Sequence, residues 1–200
     1  MGIVKSDLAV SVDGFVAGTD QNFEFPLGRH ADGGAEFLLH SWMFDKPDEN
    51  QPEVDAIVDA GAFIMGRNMF GPDRGEWDLD WKGWWGDDPP YHGPVFVLGH
   101  RPRPAVEMEG GTTFHFVTSF DEAMERAIEA AGDDTVTIAG GASAVRQGFA
   151  AGVIDEILIS HSPIALGAGE SIFEGLADLR LRPVEVHASP NAPHVIYRRA

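Results

Sequence analysis

The sequence predicts an α/β protein with a mainly parallel central sheet, covered on both faces and finished by a C-terminal antiparallel hairpin. Three observations predict it. Short apolar or β-branched runs alternate with helix-like stretches, which is the pattern of a parallel sheet between two layers. Three of these runs stop at glycine and polar or basic residues: Ala62–Met65 before Gly66-Arg67-Asn68, Pro94–Leu98 before Gly99-His100-Arg101, and Thr135–Ala139 before Gly140-Gly141. Finally, Leu181–Ala188 and His194–Arg199 flank Ser189-Pro190-Asn191-Ala192-Pro193, a turn-rich separator between two strands. Ligands of open α/β sheets sit at the carboxyl ends of the strands. Several glycine-ended strands therefore point to one long ligand, such as a phosphorylated dinucleotide.

The elements follow in order. Ile3–Ser11 reads as a largely buried first strand, and Val12-Asp13-Gly14-Phe15-Val16-Ala17-Gly18 turns away from it. Residues 19–34 are polar and glycine-rich, so they read as loop. Ala35–Phe44 carries Phe37, Leu38, Ser41, Trp42 and Phe44 at helical spacing. Pro52 suits the first turn of a further helix that Gly61 closes. After the strand Ala62–Met65, a short helix starts at Arg67. Residues 71–93 hold Trp77, Trp81, Trp84, Trp85 and Tyr91 among Gly, Asp and Pro without a stable period, so an ordered loop insertion is expected. Val95–Leu98 and Thr112–Val117 are strands. Ser119 with Glu122 forms a capping box for a helix that ends at Gly132. Thr135–Ala139 is a strand, Ala142–Ala151 a helix ended by Gly152, and Ile154–His161 a strand. The whole of 1–200 reads as one domain.

Composition excludes several functions. The chain has 200 residues, 44% hydrophobic, which permits a full core. It has no cysteine, so thiol nucleophiles, disulfides and zinc-thiolate sites are out. No apolar run approaches the ~20 residues of a membrane helix. The start, Met1-Gly2-Ile3-Val4-Lys5, lacks a signal-peptide layout, so a cytoplasmic location and no membrane partner are expected. The formal net charge of −18 repels nucleic acid and anionic membranes. An anionic cofactor would need arginines placed locally against that field. The scattered histidines show no metal-binding spacing, and no Gly-x-Ser-x-Gly elbow is present.

The order of motifs resembles the dihydrofolate reductase-like fold, and more closely the reductase domain of riboflavin biosynthesis, the RibD C-terminal type, with its small bacterial relatives. The resemblance rests on Ser11-Val12-Asp13-Gly14-Phe15-Val16-Ala17, Phe63-Ile64-Met65-Gly66-Arg67-Asn68-Met69-Phe70, Val95-Phe96-Val97-Leu98, Gly140-Gly141-Ala142 and Val153-Ile154-Asp155-Glu156-Ile157. Pro163-Ile164-Ala165-Leu166-Gly167-Ala168-Gly169 adds to it. It covers nearly the whole chain and implies a three-layer fold and NADPH as cofactor.

By that resemblance, Gly66, Arg67, Asn68 and Met69 meet one phosphate region, and Ala17 is a further cofactor-binding candidate. Leu98, Gly99, His100 and Arg101 lie near the adenosine ribose. Gly140, Gly141, Ala142 and Ser143 meet the pyrophosphate, and Ala139 before them is also a cofactor-binding candidate. Glycine lets backbone approach phosphate, a helix N-terminus offers free N–H groups, and arginine contacts phosphate through two donors. Asp13 is the catalytic or substrate-positioning candidate. Phe15, Phe37, Ser41, Trp42 and Phe44 are expected pocket walls. The implied substrate is a small pyrimidine- or pterin-like heterocycle, or a carbonyl or imine, as in 5-amino-6-(5-phosphoribosylamino)uracil reductase. Ala139 stands where the family often has Glu, which argues against that particular intermediate, and Arg29 is the nearest arginine to the Asp13 turn.

Each feature also has a plainer reading. Gly140-Gly141 suits a tight strand-to-helix turn, and Asp13-Gly14 a loop turn. The alternative function is a non-catalytic nucleotide-binding oligomeric module. The alternating Val184, Val186, Val195 and Tyr197 at a sheet edge predict a homodimer.

Overall fold

In the computed structural model, residues 2–29, 38–71 and 75–200 are described. Phe37, expected in a helix and at the pocket wall, lies outside them. The strands are β1 (Val4–Ser11), β2 (Ala62–Gly66), β3 (Pro94–Leu98), β4 (Val106–Glu107), β5 (Thr113–Val117), β6 (Val136–Gly140), β7 (Glu156–Ser162), β8 (Leu181–His187) and β9 (His194–Arg199). They form one sheet in the order β4-β5-β3-β2-β6-β1-β7-β9-β8. From β5 to β7 every pairing is parallel. The β7–β9 and β8–β9 pairs are antiparallel, so the closing hairpin is where the sequence placed it. The two-residue β4 was not expected. It pairs antiparallel with β5 and is too short to show a period.

Alternation along the central strands builds the layers. Ala62 and Ile64 of β2, Phe96 of β3 and Ile138 of β6 join a cluster with Ala123, Met124 and Ala127 of α4 (Phe120–Ala131) and Val145 and Phe149 of α5 (Ala142–Ala151). The opposite side chains of the same strands, Phe63, Met65, Val95 and Val97, pack with Phe70, Tyr91 and Phe114 under Trp77, Trp81 and Trp85. The tryptophan-rich stretch therefore takes the place of a helix as cover on that side. Arg103 pins it: the buried guanidinium donates through Nη2 to the Leu79 and Trp81 carbonyls at 3.0 and 2.6 Å. The rest of this face carries α1 (Ser41–Phe44) and α2 (Gln51–Val58), with Leu39 and Trp42 buried against Ala9 of β1.

Several boundaries shift. The helical spacing before Phe44 yields, among the described residues, a 3-10 turn over Leu38–His40 and the single turn α1. Helix α2 starts one residue before Pro52 and ends at Val58 rather than near Gly61, because Asp59 leaves the helical region. The Ser119 hydroxyl accepts from the Glu122 N–H at 3.2 Å as expected, but the Glu122 carboxylate returns to the Thr118 N–H at 3.4 Å.

A buried polar network fixes the 38–50 segment to the antiparallel edge. The Asn50 amide nitrogen donates to the Trp42 and Lys46 carbonyls, both at 2.9 Å. Its oxygen must therefore accept, which makes His194 Nε2 the donor at 2.8 Å. His194 Nδ1 then accepts from the Ser160 hydroxyl at 2.8 Å. Burial lowers the His194 pKa, which favours this neutral tautomer.

Candidate functional site

The carboxyl ends of β3, β2, β6 and β1 are neighbours in the sheet. Four strands at about 4.8 Å spacing set a row of ends about 14 Å long. Residue pairing confirms the alignment: Gly66 lies beside Leu98, and Met65 beside Gly140. The segments 66–69, 98–101 and 139–143 singled out in the sequence thus form one continuous edge.

At the centre of this edge, Gly140 has φ +128°, a conformation that side chains rarely allow. A Cβ there would lie 3.4 Å from Leu8 and 3.6 Å from Met69. Gly141 differs. Its φ is −74°, and a Cβ on it would meet nothing within 4 Å, so its flank is open space. Gly141 is also the N-cap of the ten-residue α5 and brings no side chain to its first-turn N–H groups. Ala142 is buried behind it, and Ser143 is exposed. A Cβ on Gly66 would lie 3.4 Å from the Gly141 nitrogen, so the β2 and β6 turns touch. This is an open, donor-bearing cradle with a positive dipole end, which suits phosphate.

Two arginines border the cradle on the β2 and β3 side. Arg67 opens α3 (Arg67–Phe70), donates to the Gly75 carbonyl at 3.0 Å and stacks on the Trp77 ring at 3.8 Å. Arg101, half-exposed, pairs with Glu76. The Trp77 indole N–H donates to the Arg101 carbonyl at 3.0 Å, and its ring lies over Gly99. His100 is exposed and Leu98 packs on the core. A shallow surface notch, with room for little more than a water molecule, lies beside Arg67 and Trp77, bounded also by Phe23 and Trp81. Asn68 donates to Gln21 at 3.1 Å and Phe23 packs edge-on against Trp81, so the loop after β1 closes over α3.

Asp13 stands just past β1. Gly14, at φ +93°, makes the turn, and Asp13 does more than turn. Its Oδ1 accepts from the Ser11 hydroxyl at 2.6 Å and the Leu166 N–H at 3.1 Å, and its Oδ2 accepts from the Gly167 N–H at 2.7 Å. The Ser11 hydroxyl and Gly167 N–H hold its pKa down at about 2. Ala17, assigned to the cofactor side, is buried and bridges Glu170 in an antiparallel contact. Ala139 is buried in β6. Among the expected pocket walls, Trp42 is buried and packs edge-on against His194, with Phe15 against the same cluster. Ser41 is half-buried and Phe44 exposed on α1. The structure therefore unites the glycine turns and arginines, while the aromatic candidates divide between core and surface.

Sequence reasoning missed Glu76, Trp77 and Arg103 as parts of this region. The tryptophan cluster was legible, but nothing in its spacing assigned Trp77 to Arg67.

The family model described as RibD C-terminal domain matches residues 3–195, and the chain belongs to that family. Solved structures agree on the fold. A candidate riboflavin biosynthesis protein from Shewanella sp. PV-4 is 20% identical, with TM-score 0.65 and coverage of 99% of each chain. A pyrimidine reductase-like protein from Corynebacterium diphtheriae is 14% identical, with TM-score 0.58, covering 100% of this chain and 92% of the other. Dihydrofolate reductase from Enterococcus faecalis, in complex with NADP(H), is 14% identical, with TM-score 0.55, covering 99% of this chain and 96% of the other. The fold is dihydrofolate reductase-like. No curated protein matches the sequence.

Proposed function

We propose that this chain is an NADPH-dependent reductase of a small pyrimidine- or pterin-like heterocycle, or of a carbonyl or imine compound. The observation that carries the reading is the open flank of Gly141 at the uncapped start of α5, aligned with Gly66 and with Arg67 and Arg101 on adjacent strand ends. Membership of the RibD C-terminal domain family and neighbours described as reductases or reductase-like support a reductase of the riboflavin-pathway type. The residues fit the cofactor's charge: backbone donors for the pyrophosphate and guanidinium groups toward the adenosine end, in a protein of net charge −18.

When bound, the nicotinamide supplies the hydride. The chain's residues bind and orient. Gly140 to Ser143 hold the pyrophosphate, Gly66 to Met69 and Leu98 to Arg101 flank it, and the loop carrying Phe23 limits water access. A carboxylate held at about 2 is no proton donor near neutral pH. Asp13 therefore acts by positioning, locking the Leu166–Gly167 segment to the end of β1. The same engagement of Asp13, with apolar Ala139 beside the glycine pair, favours the second reading of a nucleotide-binding module without catalysis. NADPH oxidation over pyrimidine, pterin and quinone panels separates them. Turnover of any member supports the enzyme, and tight NADPH binding without turnover across the panel supports the module. We further propose a cytoplasmic two-fold homodimer. The exposed Val184 and Val186 of the edge strand β8 support it.

A further inference from the structure

Two consecutive residues of the tryptophan-rich loop engage both arginines at the β2 and β3 ends. Glu76 takes Arg101 by charge, and Trp77 takes the flat face of Arg67. They differ in how firmly they are held. Trp77 packs edge-on against Phe116 and Phe70 at 5.0 and 6.1 Å between ring centres, and its N–H is tied to the Arg101 carbonyl. It is fixed furniture. The Glu76 side chain is 84% exposed and the Arg101 side chain 51%. An ion pair so open to water is weak. The displaceable part is therefore the carboxylate.

We propose that Glu76 is an internal counter-anion for Arg101, exchanged for the 2′-phosphate when a 2′-phosphorylated dinucleotide binds, and that it thereby sets how strongly the protein discriminates such ligands from unphosphorylated ones. This rests on the reading of these strand ends as the cofactor site. The chemistry is an exchange of anions on one guanidinium. A phosphate monoester carries nearly two charges at neutral pH and matches the guanidinium fork, so it outcompetes a single exposed carboxylate. Without Glu76, a dianion entering the field of a strongly acidic protein would meet an uncompensated arginine and bind tighter. An unphosphorylated ribose makes no claim on Arg101 and should be indifferent.

The test is titration of the full chain with adenosine 2′,5′-bisphosphate and with adenosine 5′-monophosphate by calorimetry, for wild type, Glu76→Gln, Arg101→Gln and the double variant. Glu129→Gln, on the exposed face of α4, controls for net charge. Expected is a gain of about two- to fivefold for the bisphosphate in Glu76→Gln, the range released by removing an exposed pair. The monophosphate should stay unchanged, Glu129→Gln should have no effect, and the gain should vanish in the Arg101→Gln background. The gain should also shrink as salt screens the site. If the bisphosphate binds wild type and Glu76→Gln equally, or the gain survives without Arg101, the counter-anion role is overturned while the cofactor reading stands. If neither ligand binds any variant at millimolar concentration, the cofactor reading falls and takes this proposal with it.

Discussion

Gly140 and Gly141 are adjacent, yet substituting them should have different consequences. Gly141 has φ −74° with extended ψ, which a β-branched residue accepts, and its Cβ starts in open space. Valine there restricts the unfolded chain, a gain of about 0.4–1 kcal/mol. It also loses a good N-cap residue, a comparable cost of about 0.5–1 kcal/mol. The predicted net change in stability is within about 1 kcal/mol. Its branches fill the space where the phosphates must meet the first turn of α5. Losing a single charged hydrogen bond costs about 1.5–3 kcal/mol, so NADPH affinity should fall at least tenfold. Gly140→Ala adds a cost to the fold itself. At φ +128° the substitution should destabilise the fold by about 1–3 kcal/mol. Urea denaturation and fluorescence titration with NADPH on both variants check this. A folded Gly141→Val protein that binds NADPH like wild type would refute the placement of the phosphate site.

Four further outcomes are expected. Asp13→Asn removes the acceptor for one of the Leu166 and Gly167 N–H groups, so turnover on an identified substrate should drop while NADPH affinity holds; unchanged turnover would reduce Asp13 to a turn residue. Because the Asp13 pKa is depressed from 3.8 to about 2, its contribution to stability is present above pH ~4 and lost as pH falls toward 2, and acid titration of wild type against Asp13→Asn should show the difference in that window. His187 hydrogen-bonds Glu185 and Glu53, both at 2.6 Å, which raises its pKa above 6.5, so its contribution is complete below pH 6.5 and lost as pH climbs through the raised value; a His187→Gln protein whose stability profile across pH 5–9 parallels wild type would contradict it. Light scattering after size exclusion should give a dimer mass, and Val186→Lys on the exposed β8 edge should shift it to monomer; a monomer at all micromolar concentrations would remove the dimer.

The fold was legible where local chemistry and packing agree. Gly132 and Gly152 ended α4 and α5 as expected because their positive φ closes a helix with no side-chain clash. The row of glycine-ended strands was legible because glycine punctuates a chain that turns sharply at a strand end, as Gly140 does at φ +128°. Residues joined only by tertiary contact were not. Asp13 and Gly167 are 154 positions apart, and no local pattern couples them. Trp42 and Phe44 belong to one helix-like run, but positions two apart point to opposite sides of a helix, and the single turn α1 buries Trp42 and exposes Phe44. The Glu76–Arg101 and Trp77–Arg67 contacts arise from a loop without period, where the partner is chosen by the cover the sheet needs.

We propose that a 2′-phosphorylated nicotinamide dinucleotide lies along the carboxyl ends of β3, β2, β6 and β1. The most direct measurement is a crystal structure of the full chain with NADPH bound. Expected are the pyrophosphate against the Gly141–Ser143 backbone and the 2′-phosphate at Arg101, with the Glu76 carboxylate displaced. NADPH bound elsewhere, or a pyrophosphate that leaves the Gly141 flank empty, would contradict it.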